Sequence, residues 1–170
     1  MKRIACIILL FSACLLAGAQ TRTYTDNANN TFVVGLQSYF YGDSGSLGIQ
    51  IGARMVTVRL SDGSVWAGDH LLEEGEGQTV IGTNDFSGDR EPELVVARRK
   101  GKALSVKVYR LSGREWVCMG QIGAEGDGLR DVRVFRQAMT IRNYATGVLY
   151  TWTWRGGRFD FKSSDGSPEP

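Results

Sequence analysis

Proline and histidine are the scarcest residues that matter in this chain. There are three prolines in 170 residues, two of them in the last three positions, so only Pro92 interrupts the body of the sequence. A collagenous or proline-rich disordered polymer is thereby excluded. The single histidine, His70, cannot build a multi-histidine zinc site, and any Ser-His-Asp arrangement would depend on it alone. It follows Gly68-Asp69, and no serine stands in a nucleophile-elbow pattern, so His70 reads as a surface-loop residue. No Gly-rich turn opens a helix to receive a phosphate. Neighbouring acids such as Glu91 and Glu93, or Glu73 and Glu76, are what solvated loops carry. An enzyme is therefore not expected, and a hydrolase is kept only as an alternative.

Long apolar runs are also missing after the first 19 residues. Lys2 and Arg3, apolar Ile4 to Leu16, and the small-x-small pattern Ala17-Gly18-Ala19 form an export signal over residues 1–19, expected to be cleaved before Gln20. This predicts a periplasmic or extracellular protein with no transmembrane segment after signal removal; lipid attachment at Cys14 is the alternative. Lys2 and Arg3 carry the whole formal charge of +2, so residues 20–170 balance their charges. Their one cysteine, Cys118, lies between Val117 and Met119 and reads as a small buried hydrophobe, with no intrachain disulfide available to it. An exported domain of this kind must be held by its core, and about 150 residues can bury roughly 70% of the unfolded surface without staples.

Glycine and β-branched residues, by contrast, are plentiful, and no amphipathic helix stands out. Residues 20–31 and 162–170 are polar and aperiodic, and are expected to be flexible ends. Between them, over 32–161, short runs such as Met55-Val56-Thr57-Val58-Arg59-Leu60 and Leu104-Ser105-Val106-Lys107-Val108-Tyr109 alternate with Gly, Asp and Ser. These are predicted strands joined by tight turns. His70 to Glu76 is predicted to be an acidic loop. Three turn glycines, Gly63, Gly113 and Gly156, are each followed three residues later by an aromatic: Trp66, Trp116 and Phe159. A Gly-Asp pair precedes each hairpin, at Gly42-Asp43, Gly88-Asp89 and Gly126-Asp127. The expected fold is all-β, an antiparallel meander of about three propeller-blade-like repeats near 32–68, 78–117 and 118–161, hence a partial or small β-propeller. A small closed β-barrel, carrying an apolar ligand in its interior, is the alternative.

The middle repeat, Asp85-Phe86-Ser87-Gly88-Asp89-Arg90-Glu91-Pro92-Glu93-Leu94-Val95-Val96-Ala97, resembles the FG-GAP/VCBS-type repeat of integrin-like propellers, with the likeness clear over residues 80–116. The resemblance implies a blade fold and a calcium loop. Asp85, Ser87, Asp89, Glu91 and Glu93 are the candidate ligands, hard oxygens at alternate loop positions. Arg90 stands where the pattern has glycine, and its charge opposes a cation. Asp85 and Ser87 could equally shape the turn without metal. In the flanking copies the first ligand position falls on Gly123 and Tyr39, so neither is a full site.

Two further candidate surfaces follow from charge and aromatic content. Asp43 to Glu93 holds ten acids and three bases, whereas Arg98 to Arg158 holds thirteen bases and four acids. Arg130, Arg133 and Arg136 are candidate binding residues in the basic half, suited to an anionic glycan more than to nucleic acid outside the cytoplasm. They also fit a strand with one wet face. Trp152 and Trp154 project from the same face as Val148 and Tyr150, either stacking on sugar rings or forming the core side of the last strand. The expected role is an exported, non-catalytic binding or structural module whose partner is an unidentified protein or an anionic glycan.

Overall fold

A computed structural model describes residues 22–25, 31–35, 46–51, 53–59, 61–75, 77–135 and 137–170. The signal segment, Cys14, Tyr39, the Gly42-Asp43 pair and Arg136 lie outside the described residues. The described chain is all-β, in three open antiparallel sheets, with one 3₁₀ turn at Leu129–Asp131 and no α-helix.

The first sheet is the meander β3 (Ser46–Ile51), β4 (Arg54–Arg59), β5 (Val65–Ala67) and β6 (His70–Glu73). The second contains β7 (Gln78–Asn84), β8 (Glu93–Lys100), β9 (Ala103–Ser112) and β10 (Glu115–Glu125). Against its β7 edge lie β2 (Thr31–Gly35) and then β1 (Arg22–Thr25), making six strands. The third is β11 (Val132–Phe135), β12 (Ala138–Arg142), β13 (Leu149–Arg155) and β14 (Arg158–Ser163). Among the described residues no sheet pairs its last strand with its first, which overturns the closed-barrel alternative.

The sheets stack as three layers, and the middle one has a core on both faces. One cluster joins Ile49, Ile51, Val56, Val58 and Val65 of the first sheet to Ile81, Leu94, Val96 and Tyr109 of the second. The other joins Val95, Ala97, Leu104, Val106, Val108 and Ile122 to Met139, Ile141 and Trp152 of the third. This explains why β8 does not alternate in the sequence. Its residues Leu94-Val95-Val96-Ala97 are all buried because both its faces are covered, as in any strand sandwiched between layers. The strands of the outer layers show the half-buried alternation instead.

Several expectations are corrected by this arrangement. Residues 70–73 of the expected acidic loop are strand β6, bonded to β5 across a bulge. Residues 22–25 of the expected flexible lead form β1. The chain after 161 also remains bonded: β14 runs to Ser163, the Ser163 hydroxyl donates to the Ser167 carbonyl (2.8 Å), and Trp152 Nε1 donates to Glu169 Oε1 (2.6 Å). The repeats and the sheets are offset. Gly113 (φ 63°) and Gly156 (φ 55°) turn between the last two strands of their sheets, but Gly63 turns between the second and third. The reason is that β2, the expected first strand of the first repeat, pairs with β7, and β6 takes the vacant outer position.

Candidate functional site

The acidic loop joins β7 to β8. Its first residue, Asp85, accepts hydrogen bonds from the Gly88 amide at Oδ1 (2.6 Å) and the Arg90 amide at Oδ2 (3.2 Å). Asp89 Oδ1 accepts from the Glu91 amide (2.8 Å). These local side-chain-to-backbone bonds are what Asp uses to shape turns. Arg90 adopts a left-handed backbone, φ 74°, and it alone among the described non-glycine residues does so. The sharp turn expected of glycine is thus made by arginine, at a conformational cost of about 1–2 kcal/mol.

Glu93, which opens β8, is fully buried and closes the loop from below: its Oε2 accepts the Phe86 amide at 2.7 Å. Ligand atoms of Asp85, Asp89 and Glu93 lie within 4.8 Å of one another. Ser87 Oγ is at the outer limit of bonding to Asp85 Oδ1, 3.5 Å. Glu91 is exposed, and its carboxylate is not part of the triad.

The counter-charge in this site comes from a residue outside the loop. Arg110 Nη2 on β9 is 3.0 Å from Asp89 Oδ2 and 3.0 Å from Glu93 Oε1, bridging the two. Strand register puts it there: Leu94 faces Tyr109 across β8 and β9, so the next pair outward sets Glu93 against Arg110. Asp89 is held below the usual carboxylate range by the Glu91 amide, then by Ser87, with Arg110 adding to this against the opposing effect of desolvation. Its support of the loop is therefore present above the ordinary carboxylate value and lost as pH falls through the lowered one. Three carboxylates against one guanidinium leave two formal negative charges, a donor set of hard oxygens suited to a divalent cation.

The loop before β11 repeats one part of this device. Asp131, five residues after Gly126 as Glu93 is after Gly88, is buried, and its Oδ2 accepts the Asp127 and Gly128 amides (2.8 and 2.9 Å). It closes the link between two sheets, however, and among the described residues it joins no carboxylate triad.

A second polar cluster sits between the first two layers. Glu73 on β6 accepts hydrogen bonds from the Tyr109 hydroxyl and from Lys107 Nζ, the latter 2.8 Å from Oε1 and 2.9 Å from Oε2. Burial, then the Glu73 hydrogen bond and charge, push the Tyr109 phenol far above its ordinary range, so it remains a proton donor to Glu73. Tyr109→Phe should cost about 2 kcal/mol in urea unfolding, because Glu73 loses a donor inside the layer contact. A change below about 0.5 kcal/mol would place this bond among solvated surface contacts.

The remaining expected residues are dispersed. Trp152 is completely buried against Met139 and Phe161, so it offers no ring to a sugar, and Trp154 is half-buried, packed on Phe159 against the same core. Arg130 and Arg133 are exposed on separate elements, the 3₁₀ turn and β11. His70 is exposed at the start of β6. Cys118 is exposed too, not buried, because a bulge between Cys118 and Gly120 interrupts the edge strand β10 there. Arg110 and Glu73 were missed because a salt bridge across strands or layers leaves no local pattern. No protein-family model, curated protein or solved structure matches this chain.

Proposed function

We propose that this chain is an exported, non-catalytic module of stacked blade-like meanders that works through its surfaces, in the manner of FG-GAP/VCBS repeats, with the Asp85–Glu93 loop as a weak Ca²⁺ site. The observation that carries the reading is the loop itself: Asp85, Asp89 and Glu93 converge within 4.8 Å around a left-handed Arg90. Three consecutive four-stranded meanders packed face to face further support a blade-type assembly, either a partial propeller or one completed by another chain. In this reading Arg110 and the cation compete for Asp89 and Glu93, which weakens the site.

Calorimetric titration of the purified protein tests it. Ca²⁺ should bind with a dissociation constant of about 0.1–1 mM, the range of loops with few charged ligands. Asp85→Asn with Asp89→Asn should abolish the heat. No heat at several millimolar Ca²⁺, or heat unchanged in the double variant, would leave the loop as a turn held by Arg110 alone.

A further inference from the structure

The third sheet ends the stack, and among the described residues no other sheet packs on its outer face. Alternation sends Val132, Val134, Met139, Ile141, Trp152, Trp154, Phe159 and Phe161 inward to the core. The side chains left outside fall into cross-strand rows. One row runs Arg133, Thr140, Thr151, Lys162 across all four strands. The next runs Phe135, Ala138, Thr153, Asp160, and beyond it Arg155 faces Arg158. On the other side Arg142 faces Leu149. Five cations thus surround a floor of threonine hydroxyls, one alanine methyl and the apolar Phe135 and Leu149, with Asp160, paired to Arg158 at 2.9 Å, as the one acid in these rows. At sheet spacings the face measures about 14 Å across the strands and about 20 Å along them.

We infer that this face binds an anionic polysaccharide, one bearing carboxylates or sulfates along an extended chain. The inference extends the reading of the chain as a binding module, but it uses none of the acidic-loop residues. Charge complementarity selects a polyanion, and the threonine-rich floor selects its kind. A single-stranded nucleic acid needs a succession of aromatic platforms for its bases, and the tryptophans and other phenylalanines of this sheet are on the inner face, leaving Phe135 and, in the β12–β13 loop beside Arg142, Tyr144 outside. Duplex DNA is read by an element narrow enough to enter a groove, a helix or a two-stranded ribbon, which a four-stranded face is not. A membrane surface would require a cluster of apolar side chains to insert, and on this face the large ones are Phe135 and Leu149, in different rows, with Thr140, Thr151, Thr153 and Ala138 between them. Rows of hydroxyls between cations instead match a chain of sugar hydroxyls and acidic groups.

The full chain, applied to immobilised heparin as a sulfated probe, tests this, with vesicles containing phosphatidylglycerol and a single-stranded oligonucleotide as comparison surfaces. Binding should weaken with salt, since each neutralised anion releases a counterion. Arg133→Gln with Lys162→Gln, and separately Arg142→Gln with Arg155→Gln, should each lower affinity about tenfold and flatten the salt dependence by about one unit per cation. All four are exposed, so the folded circular-dichroism signal should not change. Lys102→Gln with Arg114→Gln, exposed cations of the middle sheet's turns, should leave affinity unchanged. Equal loss in that control pair, equal or tighter binding to vesicles or oligonucleotide, or no binding to heparin would each overturn the inference. Because the Ca²⁺ titration reads different residues, a failure here is separable from a failure of the loop.

Discussion

Replacing Arg110 by methionine should lower the unfolding free energy by about 3 kcal/mol, the low end of the range for stripping a buried charge of its partner. Glu93 is 1% exposed and Arg110 40% exposed, so after the substitution a carboxylate remains in the core while its counter-charge is gone. Water reaches the Arg110 side of the pair, which is why the low end applies. The expected fall in melting temperature is about 6–12 °C for a domain of this size. Glu93→Gln removes the charge but keeps an oxygen for the Phe86 amide, and should cost less. The two together should cost less than their sum, by a coupling of about 2 kcal/mol. Additive losses in the cycle, or a stable Arg110→Met protein, would mean that Glu93 does not depend on Arg110. Millimolar Ca²⁺ should restore part of the stability of Arg110→Met, because the ion then meets Asp89 and Glu93 without a competitor.

Trp152→Ala should have the larger effect, about 3–5 kcal/mol, with a loss of about 10 °C or more in melting temperature. The indole is the largest fully buried side chain, seated between the second and third sheets with Phe161 at 5.3 Å and Tyr150 at 6.2 Å between ring centroids. Truncation leaves a cavity that strands held by their ladders can close only partly. It also removes the hydrogen bond that ties Glu169, and with it the end of the chain, to the third sheet. Trp152→Phe separates the two terms: it keeps most of the volume and should cost only about 1–2 kcal/mol, the bond to the Glu169 carboxylate included. An alanine variant within about 0.5 kcal/mol of the parent would put Trp152 at the surface, as a sugar-stacking residue would be.

The architecture was legible where its cause is local. Period-2 alternation marked β4, β9 and β13, and the turn glycines Gly113 and Gly156 fell where left-handed backbone was required. The acidic loop was legible too, because Asp85, Asp89 and Glu93 are close in sequence and an Asp side chain bonds its own neighbouring amides. Misreadings arose wherever pairing partners are distant. His70 to Glu73 have no strand pattern of their own and become β6 by completing the ladder of β5. Cys118 looked buried between Val117 and Met119, but it stands beside a bulge on an edge strand.

Scarcity of histidine and proline, and alternating β-branched runs, were enough to specify an all-β chain with one acidic loop, since each follows from composition or from contacts a few residues apart. Three matters depended on the folded arrangement: that Arg110 supplies the counter-charge of that loop, that Trp152 and Trp154 face inward, and that five cations share the outer face of the last sheet. Each depends on which strands become neighbours and which face a layer covers. Burial of apolar surface across whole sheets sets those choices, and no short window of sequence contains both partners.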